Sequence, residues 1–318
     1  MAVYTHLGAE ELARLIASYD VGTLVSAKGI AEGVSNSNWL VETTTGRFIL
    51  TMYERRIETS DLPFFLGLLD HLSDAGCPVP RTIHDSHGAA YRMVDGKAAA
   101  LIEFLPGVSP TVPTPGQARA VGAALAQIHL AGLEFGHRRA NGLDVHFNAN
   151  ALAQTDPALL AAIDPDLPLV IGMARDVARR WPSDLPVSII HSDLFPDNVL
   201  MLGDRVSGMI DFYFACTDAM AYDLAVTHAA WAFGKDGAHY DAAVGRALIE
   251  GYETVRPLSD RERAELPVLA QGACLRFVAS RTEDWIDTPA DALVTRKDPM
   301  DFVRRWRFYG ENGREAFA

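Results

Sequence analysis

The segment from Val187 to Asp211 restricts the fold more tightly than any other part of the chain. Val187-Ser-Ile-Ile190 has the apolar, β-branched character of a short buried strand. Asn198-Val-Leu-Met-Leu202 and Arg205-Val-Ser-Gly-Met-Ile210 read as a hairpin turning at Gly203-Asp204. The polar run His191-Ser-Asp193-Leu-Phe-Pro-Asp197-Asn198 is thereby confined to the loop between strand and hairpin. Asp211, between Ile210 and Phe212, falls at the hairpin's far end.

Those oxygen-bearing side chains suit phosphoryl transfer, which asks little covalent chemistry of a protein and depends on positioning, metal ligands and one base. In this reading Asp193 orients an acceptor hydroxyl and takes its proton. Asn198 and Asp211 offer oxygens to magnesium bridging the phosphates of ATP, and His191 braces the loop. Polar residues often merely decorate a loop between strands, but the matched intervals and flanking strands favour a site. A hydrolytic metal centre made of His191, Asp193, Asp211 and His228 lacks tight ligand spacing such as His-x3-His.

The rest of the chain supplies a setting. Apolar Leu12, Leu15 and Ile16 predict a helix from Glu10 to about Tyr19, and strand character begins at Gly22-Thr-Leu-Val25. Trp39 and Val41 alternate with polar neighbours, Thr44-Thr-Gly46 marks a turn, and Phe48, Leu50 and Met52 alternate again, which predicts an antiparallel hairpin. A helix carrying Leu62, Phe65, Leu66, Leu69 and Leu72 follows, closed by Gly76 and Pro78. A strand from Ala98 to Leu105 then gives way to the Pro- and Gly-rich run Pro106–Gly116, which marks a lobe boundary. Thr114-Pro115 caps a helix through Val121, Leu125 and Ile128 to Gly132, and most of the remainder reads as helical. The expected architecture is α+β, with a small antiparallel-sheet lobe at 1–105 and a larger, mainly helical lobe at 106–318.

The Asp193-x4-Asn198 interval, with Asp211 thirteen residues beyond Asn198, matches the protein-kinase catalytic loop and metal-binding aspartate, although Phe212-Tyr213 stands where those enzymes have Phe-Gly. The chain therefore resembles the kinase-like small-molecule phosphotransferases, the family of aminoglycoside phosphotransferases and choline kinases. Within it, Glu32-Gly-Val-Ser-Asn-Ser-Asn38, Phe48-Ile-Leu-Thr-Met-Tyr-Glu-Arg-Arg56, Leu62-Pro-Phe-Phe65 and Leu275-Arg-Phe-Val-Ala-Ser-Arg281 look most like the type II homoserine kinases. This resemblance implies a two-lobed protein-kinase-like fold, ATP and Mg2+, and phosphorylation of L-homoserine to O-phospho-L-homoserine in threonine biosynthesis. It leaves open choline, ethanolamine, methylthioribose, hydroxylysine or an aminoglycoside as acceptor, and a catalytically inactive nucleotide-binding regulatory module.

The small and polar run Lys28–Asn38 joins the first two predicted strands, and Gly33, Ser35 and Asn36 are its candidates for cradling phosphates on exposed backbone N–H groups. A plain hairpin turn is the bland reading of the same composition. Glu103 to Leu105 falls where the family's interlobe hinge lies, which implies backbone hydrogen bonds to the adenine edge. Family members commonly carry lysine on the third strand, but the matching register here has Thr51. The resemblance then leaves magnesium, with Lys28, Arg55 or Arg56, to neutralise the phosphates, and the homoserine kinases share the threonine.

Homoserine carries a carboxylate and an ammonium, so a guanidinium is the expected partner of the first. Arg276, then Arg281, on a helix predicted over 271–285, are the candidate anchors, with Asp193 near the amine and Asp197 or Glu283 as a further candidate there. Surface or interhelix ion pairs are the alternative for both arginines. His129 and Asp223 read as loop-tying residues, and Trp231, Phe233, Trp285 and Trp306 as core rather than a choline cage.

The formal charge of −13 disfavours nucleic acid and anionic membranes as partners and favours cationic substrates through long-range steering. Cys77, Cys216 and Cys274 form no Cys-x-x-Cys pair, the first residues resemble no export signal, and no window is apolar enough to span a bilayer. A cytoplasmic location is expected. The sequence carries no signal for oligomeric state.

Overall fold

The computed structural model describes residues 7–30, 36–54, 57–288 and 296–318. Its contacts group into two units, Met1–Gly107 with Ser207–Tyr213, and Val108–Val206 with Phe214–Ala318. The main division falls at 107/108 rather than 105/106, and a short later segment returns to the first unit. That return places Asp211 with the sheet-bearing part of the chain.

The first unit runs α1 (Ala9–Ile16), β1 (Leu24–Ile30), β2 (Asn36–Thr43), β3 (Arg47–Tyr53), α2 (Leu62–Asp74), β4 (Thr82–Ile83), β5 (Arg92–Val94) and β6 (Lys97–Glu103). Its antiparallel sheet has the order β1-β2-β3-β6-β4, with β5 paired to β6. The period-two pattern read from the sequence sets the register: Trp39 lies opposite Leu50 and Val41 opposite Phe48. One sheet face buries Trp39, Val41, Leu50, Met52, Ala99 and Leu101 against Leu12, Leu15 and Ile16 of α1. The β2–β3 turn closes through Thr43, whose N–H donates to the Gly46 carbonyl at 2.8 Å and whose hydroxyl accepts the Gly46 N–H at 3.2 Å. In α2, Pro63 sits in the first turn, and Gly76, at φ +79°, follows the last turn in a conformation that L residues resist.

The second unit contains α3 (Pro115–Gly132), α4 (Val145–Gln154), α5 (Pro157–Ile163), α6 (Val170–Arg179), β7 (Val187–Ile190), β8 (Val199–Leu202), the start of β9 (Arg205–Met209), β10 (Cys216–Ala219), α7 (Met220–Trp231), α8 (Ala242–Glu253), α9 (Asp260–Asp287) and α10 (Met300–Ala316). The Thr114 hydroxyl accepts from Gln117 N at 3.2 Å while the Gln117 side chain accepts from Thr114 N at 3.1 Å, a reciprocal cap that fixes where α3 begins. α3 and α8 touch backbone to backbone: a Cβ on Gly122 would lie 2.0 Å from the Leu248 carbonyl oxygen, and one on Gly251 would lie 2.0 Å from that of Arg119. β7 pairs with β10, and β8 with β9 around Gly203 at φ +64°. Trp231, Phe233 and Trp306 are buried, as expected for aromatics in a helical lobe, whereas Trp285, read as core, is only partly buried.

Candidate active site

β7 delivers the chain to a loop that is held at every step. Asp223, in the first turn of α7 and fully buried, accepts the backbone N–H of His191 at 2.7 Å and of Ser192 at 2.6 Å. The same carboxylate pairs with His129 Nε2 at 3.0 Å, and His129 Nδ1 meets the Tyr252 hydroxyl at 2.8 Å. His129 and Asp223 are thus the loop-tying residues expected of them. Burial pushes the Asp223 carboxyl up, but the hydrogen bond and charge of His129, with His191, bring it below the ordinary aspartate value.

The loop's own residues complete the restraint. Asp193 N donates to His191 Nδ1 at 3.2 Å, Asn198 Nδ2 donates to the Asp193 carbonyl at 2.8 Å, and Trp231 Nε1 donates to the Leu194 carbonyl at 3.0 Å. Asn198 therefore commits its amide nitrogen to the loop. Ser192 adopts φ +68°, a left-handed conformation costly for a residue with a Cβ. The turn brings out the Asp193 side chain, 19% exposed beside largely buried neighbours. Burial raises the Asp193 carboxyl above its ordinary value, with Arg276, His191 and Lys297 only partly offsetting it. A raised carboxyl is the stronger base, which suits proton removal from a hydroxyl.

The two arginines proposed to anchor an acceptor carboxylate both come near Asp193, but each already holds protein oxygens. Arg276 is 3% exposed, its Nη1 bonds the Ser192 carbonyl and lies 2.8 Å from Ser192 Oγ, and its Nη2 is 3.5 Å from Asp193 Oδ1. Its guanidinium also lies over the rings of Phe214 and Phe277. Arg276 is therefore a brace of the catalytic loop in this structure rather than an open anchor, because a buried cation takes the nearest oxygens. Arg281 likewise binds the Asp298 carbonyl and Asp301 Oδ2, both at 2.9 Å, and lies over Phe302. Lys297, exposed and close enough for its charge to act on Asp193, was not singled out by the sequence, since its neighbourhood is set by chain packing.

In the first unit, Asp211 is exposed at φ +67° and opens a tight turn through Phe212 and Tyr213. The Tyr213 hydroxyl donates to that of Tyr53 at 3.2 Å, the rings meeting edge to face. Thr51 donates to Asn38 Oδ1 at 2.8 Å across β2 and β3. Burial raises both phenols well above their usual range, and the Asp211 charge adds to the rise. Two nucleotide candidates differ from the sequence reading. Asn36 lies in β2 rather than in a loop, with its side chain buried and its Oδ1 unpartnered among the described residues, because the strand's alternation turns it inward opposite Tyr53. The Glu103 N–H is taken by the Arg81 carbonyl at 2.9 Å and its carboxylate accepts from Arg81 N, whereas the Leu105 peptide is left outside the sheet. Lys28 lies in β1, and Gly33, Ser35, Arg55 and Arg56 lie outside the described residues.

The model of the phosphotransferase enzyme family matches residues 26–258, a span that includes both the sheet and the catalytic loop. The chain belongs to the phosphotransferase enzyme family. Among its relatives in this family are the homoserine kinase of Gluconacetobacter diazotrophicus, 50% identical with 97% of each chain covered, and that of Xanthobacter autotrophicus, 47% identical with 97% of this chain and 96% of the relative covered. The fold of the family is kinase-like. An amicoumacin kinase solved with AMP-PNP superposes with a TM-score of 0.72 at 12% identity, covering 96% of this chain and 94% of its own. A spectinomycin phosphotransferase solved with ADP gives 0.70 at 14% identity, with 98% of each chain covered. No helix among the described residues is long and apolar enough to cross a membrane.

Proposed function

We propose that the chain transfers the γ-phosphoryl group of ATP to the side-chain hydroxyl of L-homoserine, giving ADP and O-phospho-L-homoserine, as a cytoplasmic step of threonine biosynthesis. The observation that carries the acceptor is the 47–50% identity with homoserine kinases, which extends over 97% of the chain and so through both units.

In this mechanism Asp193 orients the hydroxyl and accepts its proton as the oxygen–phosphorus bond forms and the bond to the departing ADP oxygen breaks. Its position is supported by the bonds that pin residues 191–194. One amide oxygen and one carboxylate, from Asn198 and Asp211, fit magnesium, which characteristically completes its shell with phosphate and water. When bound, magnesium supplies positive charge to the phosphates. Residues 1–105 serve the nucleotide, with the Leu105 peptide as candidate for the adenine edge and Gly33 and Ser35 for the phosphates. Residues 106–318 supply the acceptor site, where the exposed Lys297 joins Arg276 and Arg281, both of which would have to exchange a protein oxygen for it, as a candidate for the homoserine carboxylate.

The test is ADP release by the purified chain with Mg-ATP and a panel of L-homoserine, D-homoserine, L-serine, choline, methylthioribose, hydroxylysine and kanamycin, alongside Asp193→Asn. Turnover selective for L-homoserine and lost in the variant is expected. Preference for another acceptor would overturn the substrate, and nucleotide binding without any turnover would make the chain a regulatory module.

A further inference from the structure

The face of the β2–β3 hairpin opposite α1 carries polar groups at successive inward positions, an unusual arrangement for the middle of a packed sheet. Asn38 and Thr51 lie directly opposite one another in the register, Asn36 lies opposite Tyr53, and the alternation of a strand puts all four on one face. Asn36, Thr51 and Tyr53 are each 5% exposed or less. Thr51 donates to Asn38 Oδ1 at 2.8 Å, and Tyr53 receives the Tyr213 hydroxyl at 3.2 Å. Tyr213 stands two residues after Asp211, inside the turn that Asp211 opens with φ +67°. Its ring is clamped edge to face by Tyr53, centroids 5.5 Å apart, and by Phe65 of α2, 5.8 Å apart.

A left-handed backbone is a minority conformation even for aspartate, which enters it more readily than most residues with a Cβ, so the groups packed on the turn contribute to holding it. Here Tyr213, two residues on, meets the ring and hydroxyl of Tyr53 in β3 and the ring of Phe65 in α2. We propose that Tyr213 and Tyr53 are positioning residues for Asp211: their linked hydroxyls, continued by the Thr51–Asn38 pair, lock the turn so that the Asp211 carboxylate is presented to a divalent cation already in its binding conformation. The inference deepens the proposed function and rests on Asp211 being a metal ligand. It assigns the inward polar face of β2 and β3 to metal recognition, a role that neither strand's sequence announces.

The experiment uses the full chain and reads binding rather than turnover. Calorimetric titration with AMP-PNP is run with Mg2+ and with EDTA, for wild type, Tyr213→Phe, Tyr53→Phe and the double variant. Phenylalanine keeps the edge-to-face rings and removes only the hydroxyl, so folding, checked by thermal unfolding, is expected to survive. Each single variant is expected to weaken nucleotide binding roughly 3- to 10-fold with Mg2+, the size of one lost hydrogen bond, and to leave binding in EDTA unchanged. The double variant is expected to match Tyr213→Phe, because the Tyr53 hydroxyl acts only through that of Tyr213. Equal losses with and without metal, additive losses, or variants indistinguishable from a metal-dependent wild type would overturn the positioning role. Wild-type binding that is indifferent to Mg2+ would instead remove the metal role of Asp211 and the inference with it.

Discussion

Replacing Asp223 with alanine tests whether the catalytic loop is held from below by one buried carboxylate. Asp223 has no solvent exposure and accepts two backbone N–H groups of the loop, with a third hydrogen bond to His129. Alanine leaves the His191 and Ser192 amides unpaired, and each buried unsatisfied donor costs about 1–3 kcal/mol. The stranded His129 ring adds a similar amount. Release of the left-handed Ser192 returns about 1–2 kcal/mol, which leaves about 1–8 kcal/mol; the expected loss is about 3–5 kcal/mol, the middle of that span and the range for removing one partner of a buried charged pair. Urea denaturation of the full chain near pH 7 reads the loss, and steady-state kinetics read its consequence. A loop displaced by about 1 Å is expected to cost roughly 100-fold in kcat with a much smaller change in KM for ATP. Asp176→Ala is the control, because its half-exposed pairs with Arg179 and Arg180 are worth less than about 1 kcal/mol. An Asp223→Ala protein no less stable than that control would refute the reasoning, and so would one that keeps wild-type kcat.

Further outcomes follow from the same geometry. Asp193 must be ionised to act as a base and its folded value lies above 3.8, so activity is lost as pH falls through that raised value; Arg276→Gln removes a charge that lowers it and is expected to move the acid limb of kcat to higher pH, whereas an unmoved limb with only a raised KM for L-homoserine would restore Arg276 as an anchor. His228 is buried with Nδ1 on the Tyr309 hydroxyl at 2.6 Å and Nε2 unpartnered among the described residues, and burial pushes it from 6.5 down to about 3. The unfolded chain takes up that proton first, so the stability tied to His228 is full above pH 6.5 and declines towards about 3, by at most about 1.4 kcal/mol per pH unit. His228→Gln should flatten this slope in urea titrations between pH 7 and 4, and an unchanged slope would remove His228 as its source. Gly122→Ala, whose Cβ meets the Leu248 carbonyl, is expected to destabilise by at least about 1–3 kcal/mol, while Gly67→Ala in α2, with open space around it, should stabilise by about 0.5–1 kcal/mol; equal shifts in urea midpoint would contradict the close α3–α8 contact.

Much of the fold was legible because local rules acted alone. The Thr114 cap, the Trp39–Met52 hairpin, the α2 stripe and the β8–β9 turn at Gly203 each follow from a few neighbouring residues, and the structure keeps them. Where local signals competed, boundaries moved: Gly22 takes φ +78°, so β1 begins at Leu24 instead of Gly22, and Asn36 is drawn into β2 because pairing with Tyr53 extends the ladder. The loop at 191–198 could be located from its spacing, since the atoms that matter lie on one short stretch of chain.

What the sequence by itself determined is therefore the inventory: which residues can take a proton, which can offer oxygen to a metal, and which segments carry them. Tertiary structure decided what each polar group is already committed to. Arg276 reads in the sequence as a candidate anchor for a substrate carboxylate, yet packing buries it against Ser192 and Asp193, where desolvation makes the loop's oxygens its partners. Asp223 and His129 meet across 94 positions of sequence, and Tyr53 and Tyr213 across 160, separations over which no periodicity carries information. Burial is the common reason: a polar group taken out of water must find a partner, and only the folded chain determines which one is within reach.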